Sequence, residues 1–405
     1  MARKKAKPVS EADLTGLKYL KRISSLLERL RPVGCARDKA GNRELFFDQY
    51  CGLMLLYMFN PIVTSLRGIQ QTSQLKKVQR LLGCGRASLG SLSEAAHVFD
   101  PELLREIAGE LLDRVPQRGD CDPRLQDFAQ TLTAVDGSLL KKLPQVTQAC
   151  FATRHDRGFR LHTHFEILKG VPVKSAVTDA SGKGPANEKN VLRSQLEPDR
   201  CYVIDRGYEQ FSLFNAIADV GSSYVCRIRN DHTLTPDEVR ELDDEARAAG
   251  VLSDTVGRLG SPKSRRIVHP QHRVRRVVIR AETHPKRGGR KRAAATHDVA
   301  LVTNLLDVPA EIIALIYRCR WMIELYFRFL KHVLGCRKLL SDCDNGIEIQ
   351  TYCAIIACLL ISLVTGRKPT LRTYEMLCFY FQGLADEEEL LAHINRLPPH
   401  DTAGV

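Results

Sequence analysis

Thr131-Leu132-Thr133-Ala134-Val135-Asp136 decides the fold, because it is the first short β-rich run of the chain and it ends in an acid. Cys201-Tyr202-Val203-Ile204-Asp205 repeats the pattern: an apolar run again leads to an aspartate. Apolar runs of this length are typical of strands buried on both faces. A glycine follows each aspartate closely. We therefore expect the backbone to turn away there and to leave the carboxylate exposed at the end of its strand.

The segment between the two aspartates supplies the rest of a sheet. Residues 161–168 alternate, with His162 and His164 expected as outward polar positions, and residues 171–177 form a hairpin partner after a glycine turn. Residues 187–196 have helical spacing. The order strand, strand, strand, helix, strand predicts an α/β fold with a mixed sheet and helices packed on it.

Helical segments are expected both before and after this sheet along the chain. Residues 1–125 are mostly helical in pattern and include a Gly/Ser-rich connection before a helix that Ser91 or Ser93 could cap. A helix-turn-helix DNA reader and an ordinary helical bundle both fit this region. Residues 225–298 are predicted to be a β-rich insertion, and from Pro309 the chain is helical nearly to its end.

The charge of the chain is concentrated in one segment. Lys and Arg number 60 against 47 Asp and Glu, a net charge of +13 that favours a polyanionic partner, with nucleic acid first. Residues 256–296 hold 13 of these cations and one acid, Glu282. Within them lies a basic loop that we expect to contact DNA phosphates, through Arg287, Arg290, Lys291 and Arg292.

A membrane partner is not expected. The longest apolar stretch, residues 352–364, is shorter than the roughly 20 residues that span a bilayer and predicts a buried helix. The 13 cysteines include no CxxC pair, which favours reduced thiols in a cytoplasm over a disulfide framework.

One helix, over residues 311–334, carries charge in an unusual pattern. At 3.6 residues per turn, six polar or aromatic residues fall in a stripe about 100° wide, and most of the remaining circumference is apolar. The six are Tyr317, Arg320, Trp321, Glu324, Arg328 and Lys331. An exposed face with i,i+4 ion pairs is one interpretation. A mostly buried helix with one charged face toward a ligand is the other, and we favour it.

Asp136, Asp205 and Glu324 then have a natural joint role. Paired divalent ions activate an attacking oxygen and stabilise a leaving oxygen in phosphodiester chemistry. Mg²⁺ prefers oxygen ligands and keeps several waters, so a few carboxylates and substrate phosphates suffice. We therefore expect these acids to be catalytic and to bind two Mg²⁺ ions, with Mn²⁺ able to substitute. Arg320 and Lys331 would grip phosphates, and Trp321 would stack an unpaired base.

The spacing Tyr317-x2-Arg320-x3-Glu324-x6-Lys331 resembles the signature of DDE transposases of bacterial insertion sequences, family four. Asp136 and Asp205 look like that family's two catalytic aspartates. The resemblance implies a ribonuclease H-like core, cleavage at the element's terminal inverted repeats and joining of the ends to target DNA. It also implies a homodimer on double-stranded DNA in a bacterial cytoplasm. Tyr317, Arg320, Trp321, Arg328 and Lys331 would contact DNA.

These expectations divide the chain into five parts. Residues 1–125 would be the helical N-terminal domain, with DNA-end binding as one role. Residues 126–224 and 299–345 would be the two parts of the catalytic core, separated by the insertion at 225–298. Residues 346–405 would be C-terminal helices, with dimerisation as one role.

Two other function classes remain open. A non-catalytic DNA-binding protein derived from a transposase would keep the cations and lack carboxylate-dependent metal binding. A junction nuclease or related phosphodiesterase would leave the Tyr–Arg–Glu–Lys pattern and the basic insertion unexplained.

Overall fold

The computed structural model describes residues 26–33, 41, 43–60, 62–116, 122–141, 158–260, 268–282, 296–332, 339–341, 343–366, 370–381 and 384–397. Within these ranges the N-terminal part is helical, as predicted. Its helices are α1 (Leu30–Val33), α2 (Phe47–Phe59), α3 (Leu66–Ser73), α4 (Lys76–Leu82), α5 (Leu89–Val98), α6 (Glu102–Asp113) and α7 (Pro123–Gln126). The predicted cap of α5 is wrong: Ser88, in extended backbone, accepts a hydrogen bond from the Ser91 amide, so Ser91 and Ser93 lie inside the helix.

A mixed sheet follows, built in the predicted order. Strands β1, β2 and β3 form an antiparallel meander, and β4 and β5 extend it in parallel beside β1. The elements are β1 (Thr131–Lys141), β2 (Gly158–Glu166), β3 (Val171–Asp179), α8 (Glu188–Ser194), β4 (Arg200–Ile204), α9 (Phe211–Asp219) and β5 (Ser223–Ile228).

The β-rich segment continues the same sheet. It consists of β6 (Leu234–Arg240), α10 (Asp244–Ala248), β7 (Val251–Leu259) and β8 (Val274–Glu282), and β9 (Thr296–Thr303) follows. Strand β9 pairs antiparallel with both β5 and β8. The strand order is therefore β3-β2-β1-β4-β5-β9-β8-β7-β6.

The centre of the sheet is buried on both faces. Along β4, Cys201 and Val203 join one apolar core while Tyr202 and Ile204 join the other, as the strand period of two requires. On β2, His162 and His164 are only 2% and 1% exposed. The prediction of outward histidines was therefore wrong, because β2 lies between two strands and both of its faces are covered.

The C-terminal part is helical, as predicted. It contains α11 (Ala310–Cys319), α12 (Trp321–His332), α13 (Asp344–Thr365), α14 (Leu371–Phe381) and α15 (Glu387–Arg396). Residues 344–363 of α13 are long and apolar enough to cross a membrane, yet 89% of this window is buried inside the protein. Since α13 packs against α2, α6 and β3, it is a core helix, which confirms the prediction for residues 352–364.

Part of the basic surplus of residues 256–296 is used inside the fold. Arg275 makes two hydrogen bonds of 2.8 and 2.7 Å to the Asp254 carboxylate, and both side chains are almost fully buried. Arg273 pairs with Asp237 at 3.6 Å. These two guanidiniums therefore stabilise β6–β8 and face carboxylates of the same chain.

Candidate active site

Asp136 lies inside β1 and not at its end, which corrects the sequence prediction. β1 pairs with β4 only as far as Val135 opposite Ile204, whereas its pairing with β2 continues to Lys141. Asp136 is therefore the first residue of β1 beyond the end of β4. Asp205 directly follows β4 and accepts a hydrogen bond from the Gly207 amide at 2.7 Å. The two aspartates thus occupy neighbouring positions on adjacent strands.

Gly137 has a different role from the predicted turn. The strand continues through it, and a Cβ added there would lie 2.6 Å from Oε1 of Glu188. Glu188 opens α8 and forms an ion pair with Arg160 on β2. The sequence pattern did not single out this glutamate, because an acid in the first turn of a helix is usually explained by the helix dipole.

The charged helix is divided at Arg320, which corrects the prediction of one continuous helix. Arg320 is the turn residue between α11 and α12, and its amide and carbonyl make i,i+3 bonds on either side. Its guanidinium lies 2.6 Å from Glu324 Oε1 and 3.7 Å from Asp136 Oδ2. Arg320 therefore brings together two acids that are far apart in sequence.

Burial and neighbouring charge set the protonation of this site. The pKa of Asp136 is raised to about 6, chiefly by burial and also by the negative charges of Asp205 and Glu188, against the lowering effects of the Gly137 amide and Arg320. Burial also raises the pKa of Tyr317. A carboxyl with a raised pKa beside other acids is typical of a functional site.

Two other residues of the predicted stripe, Tyr317 and Trp321, line an open pocket. Trp321 is 44% exposed and, with Tyr317, Arg318 and Arg320, lines a cavity of about 660 Å³. Gly250 and neighbouring residues of the segment from α10 to β8 also line this cavity. Arg318 Nη2 donates a hydrogen bond of 2.6 Å to the Ala249 carbonyl of the same segment.

The remaining predicted DNA contacts lie elsewhere. Arg328 is exposed on α12, and Lys331 is half-buried one turn further along. The four cations of the basic loop, Arg287, Arg290, Lys291 and Arg292, lie outside the described residues.

A carboxylate-rich candidate active site at the centre of a mixed sheet defines the general class, an α/β protein with an acidic site. This chain belongs to the transposase DDE domain family, whose family model matches residues 127–360. The matched range contains Asp136, Asp205, Glu188 and Glu324.

Several known proteins are similar to this chain. A Sinorhizobium fredii protein named as transposase y4zB is 28% identical over 60% of this chain and 64% of its own length. A Geobacillus stearothermophilus protein named as the transposase for insertion sequence element IS5377 is 28% identical over 50% of this chain and 48% of its own length. These matches thus cover less than two thirds of each relative. A solved structure of piggyBac transposase in a synaptic complex with hairpin DNA gives a TM-score of 0.41, with 10% identity over 99% of this chain and 89% of that chain.

DDE transposase domains generally use divalent metal ions, and the donor set here fits one. Three carboxylates pair with two guanidiniums, Glu188 with Arg160 and both Asp136 and Glu324 with Arg320, and the charge of Asp205 adds to theirs, so the ionised site carries excess negative charge. Among the described residues, no group of three or more Asp, Glu, His or Cys side chains is placed so that it could hold a metal ion by itself. An open arrangement still suits Mg²⁺, which keeps waters and takes only one or two carboxylates together with substrate phosphates.

Proposed function

We propose that this protein is a DDE transposase of the family-four group of bacterial insertion sequences. It would cut at the terminal inverted repeats of its element and join the ends to target DNA. The observation that carries the proposal is the meeting of Asp136 and Glu324 at the Arg320 guanidinium, beside Asp205. The spacing of Tyr317, Arg320, Glu324 and Lys331 supports the finer family assignment.

The core of this enzyme would be ribonuclease H-like. The order β3-β2-β1-β4-β5, with an antiparallel meander followed by two parallel strands, supports this. In this proposal residues 126–224 and 299–345 form the core, 225–298 the insertion, 1–125 a DNA-end binding region and 346–405 a dimerisation region. The enzyme would act as a homodimer on double-stranded DNA in the bacterial cytoplasm.

Asp136, Asp205 and Glu324 would hold two Mg²⁺ ions, with Mn²⁺ able to substitute. Bound divalent ions supply an activated oxygen nucleophile and charge stabilisation for the leaving oxygen. The chain itself would orient the DNA. Arg320 has a planar fork suited to a phosphate and would exchange part of its carboxylate pairing for it.

Trp321 would stack a base displaced from the duplex next to the cut. Its exposed ring beside a cavity of about 660 Å³ leaves room for such a base. Unstacking a base costs a few kcal/mol, which contacts with the ring and nearby cations would offset. Tyr317, Arg328 and Lys331 would hold the flanking backbone.

Cleavage of DNA carrying the element's ends tests this function. We expect Asp136→Ala and Glu324→Gln to lose cleavage and strand transfer by several orders of magnitude in Mg²⁺, because each removes a carboxylate of the site. Both variants should still bind DNA, since binding depends mainly on cations. Glu375→Gln on α14 is the control. Cleavage at wild-type rates by either site variant would reject the catalytic assignment.

A non-catalytic DNA-binding protein is the second candidate. It is favoured by the position of Arg320, whose guanidinium already pairs with Asp136 and Glu324. Calorimetry with Mn²⁺ in the presence of DNA separates the two candidates. Carboxylate-dependent metal binding supports the transposase, and its complete absence supports the binding protein.

A further inference from the structure

Glu188 occupies the space between the two aspartates of the site. A Cβ added at Gly137, next to Asp136, would lie 2.6 Å from Glu188 Oε1. One added at Gly207, two residues after Asp205, would lie 3.8 Å from Glu188 Oε2. The two oxygens of one carboxylate therefore reach toward both aspartate-bearing segments.

Arg160 fixes this carboxylate. Its Nη1 donates a hydrogen bond to Glu188 Oε1, and both side chains are largely shielded from solvent. Arg160 lies on β2 opposite Leu139 of β1, so the pair connects the strand that carries Asp136 with the start of α8. A glutamate held in this way loses little conformational freedom when it binds a ligand.

Tyr208 gives an independent sign that something binds here. It is 1% exposed, and its hydroxyl is buried with no hydrogen-bond partner among the described residues. Burial raises the pKa of Tyr208, and the negative charges of Glu188, Asp136 and Asp205 raise it further, so the hydroxyl lies within electrostatic reach of these three acids. A buried hydroxyl without a partner costs free energy unless a water or a ligand satisfies it.

We propose that Glu188, positioned by Arg160, is a fourth carboxylate of the active site and strengthens its binding of divalent cations. The role is distinct from that of the three acids of the proposed catalytic set. A site with one more carboxylate carries more negative charge and offers another oxygen ligand, either directly or through a metal-bound water. This inference rests on the proposed metal-dependent function.

Titration of Mn²⁺ into the full-length protein, followed by calorimetry, tests the proposal without any activity measurement. We expect Glu188→Gln to weaken binding by about tenfold or more, the usual effect of losing a supporting group of a metal site. Glu197→Gln is the matched control, because Glu197 is also paired with an arginine, Arg200, at 2.6 Å, and lies away from the aspartates. It should bind Mn²⁺ as the wild type does.

Arg160→Gln separates positioning from charge. Removal of a positive charge alone would strengthen cation binding, whereas loss of the fixed Glu188 orientation would weaken it, and we expect weakening. Stronger binding would overturn the positioning role. If circular dichroism shows that Glu188→Gln is unfolded, Glu188→Asp replaces it in the titration. This change keeps the charge and withdraws the carboxylate by one methylene.

Asp136→Ala in the same titration distinguishes the two levels of inference. If Asp136→Ala abolishes Mn²⁺ binding and Glu188→Gln leaves it unchanged, the role of Glu188 is wrong and the proposed function stands. If the wild type binds no Mn²⁺, or binds it independently of Asp136, the metal-dependent function fails and the role of Glu188 fails with it.

Discussion

Gly137 shows how a single residue type is dictated by a contact from another element. Its backbone is ordinary strand, so conformational freedom does not explain a glycine there. The reason is space, because Glu188 Oε1 stands where a Cβ would go. A side chain at position 137 would have to displace Glu188, and with it the ion pair to Arg160.

We expect Gly137→Ala to lower the free energy of unfolding by about 1–3 kcal/mol, the usual cost of forcing extra atoms into a packed place. Urea denaturation measures the loss. The double variant Gly137→Ala/Glu188→Ala should recover a large part of it, because removal of the glutamate side chain reopens the space.

Gly109→Ala in α6 is the control for this change. An added Cβ there meets nothing within 4 Å, and alanine favours a helix over glycine by about 1 kcal/mol, so the control should be more stable than the wild type. Equal losses in the single and double variants at position 137 would contradict the steric explanation.

At the scale of elements, β2 carries two buried histidines into the middle of the sheet. Burial, reinforced by the charge of Lys174, lowers the pKa of His164 to about 3, and His164 packs edge-on against Tyr202. The unfolded chain binds a proton below the ordinary pKa of about 6.5, and the folded protein binds it only near 3. The stability is therefore complete above pH 6.5 and is lost as the pH falls toward 3.

His164→Phe removes this titration and keeps an aromatic ring beside Tyr202. Between pH 7 and pH 5 the wild type should lose about 2 kcal/mol more unfolding free energy than the variant, at 1.36 kcal/mol per pKa unit. Urea denaturation at each pH gives both curves. Parallel curves for the two proteins would show that His164 is not the titrating group.

Local pattern alone was enough to predict several elements. Apolar runs before Asp136 and Asp205 predicted β1 and β4, and the apolar stretch at 352–364 predicted the buried helix α13. Predictions from local pattern were wrong where contacts with residues distant in sequence determine the structure. The pairing of β1 with β2 beyond Val135 extends the strand past Asp136, and coverage of both sheet faces buries His162.

The candidate site was predictable only in part, for the same reason. The spacing of Tyr317, Arg320 and Glu324 is local, so it could be found in the sequence. The approach of Arg320 to Asp136, and of Glu188 to Gly137, depends on how helices lie over the sheet. No spacing along the chain encodes that distance.

At the scale of the whole molecule, part of the surplus positive charge is already paired with carboxylates of the same chain. The net charge is +13, and residues 256–296 contain 13 Lys and Arg against one acid. Arg275 pairs with a buried carboxylate of the sheet, Arg273 pairs with Asp237 at the surface, and Arg320 contacts the acidic site. We therefore expect nonspecific attraction to DNA to depend on other cations, and the basic loop at 287–292 offers four of them within six residues.

Joint replacement of Arg287, Arg290, Lys291 and Arg292 by Gln tests whether the basic loop is responsible for nonspecific attraction to DNA. Each phosphate contact contributes about 0.9 to the slope of log binding constant against log salt concentration, so the slope should fall by up to about 4. Trp321→Ala should leave this slope and the initial binding unchanged, because stacking releases no counterions, and should slow the strand steps that need a distorted end. Fluorescence anisotropy over a salt series measures the slope, and gel analysis of cleavage and joining measures the steps. If the variant without these four cations keeps the wild-type slope, other cations are responsible for DNA binding. If the Trp321→Ala variant has unchanged kinetics at every strand step, Trp321 has no stacking role.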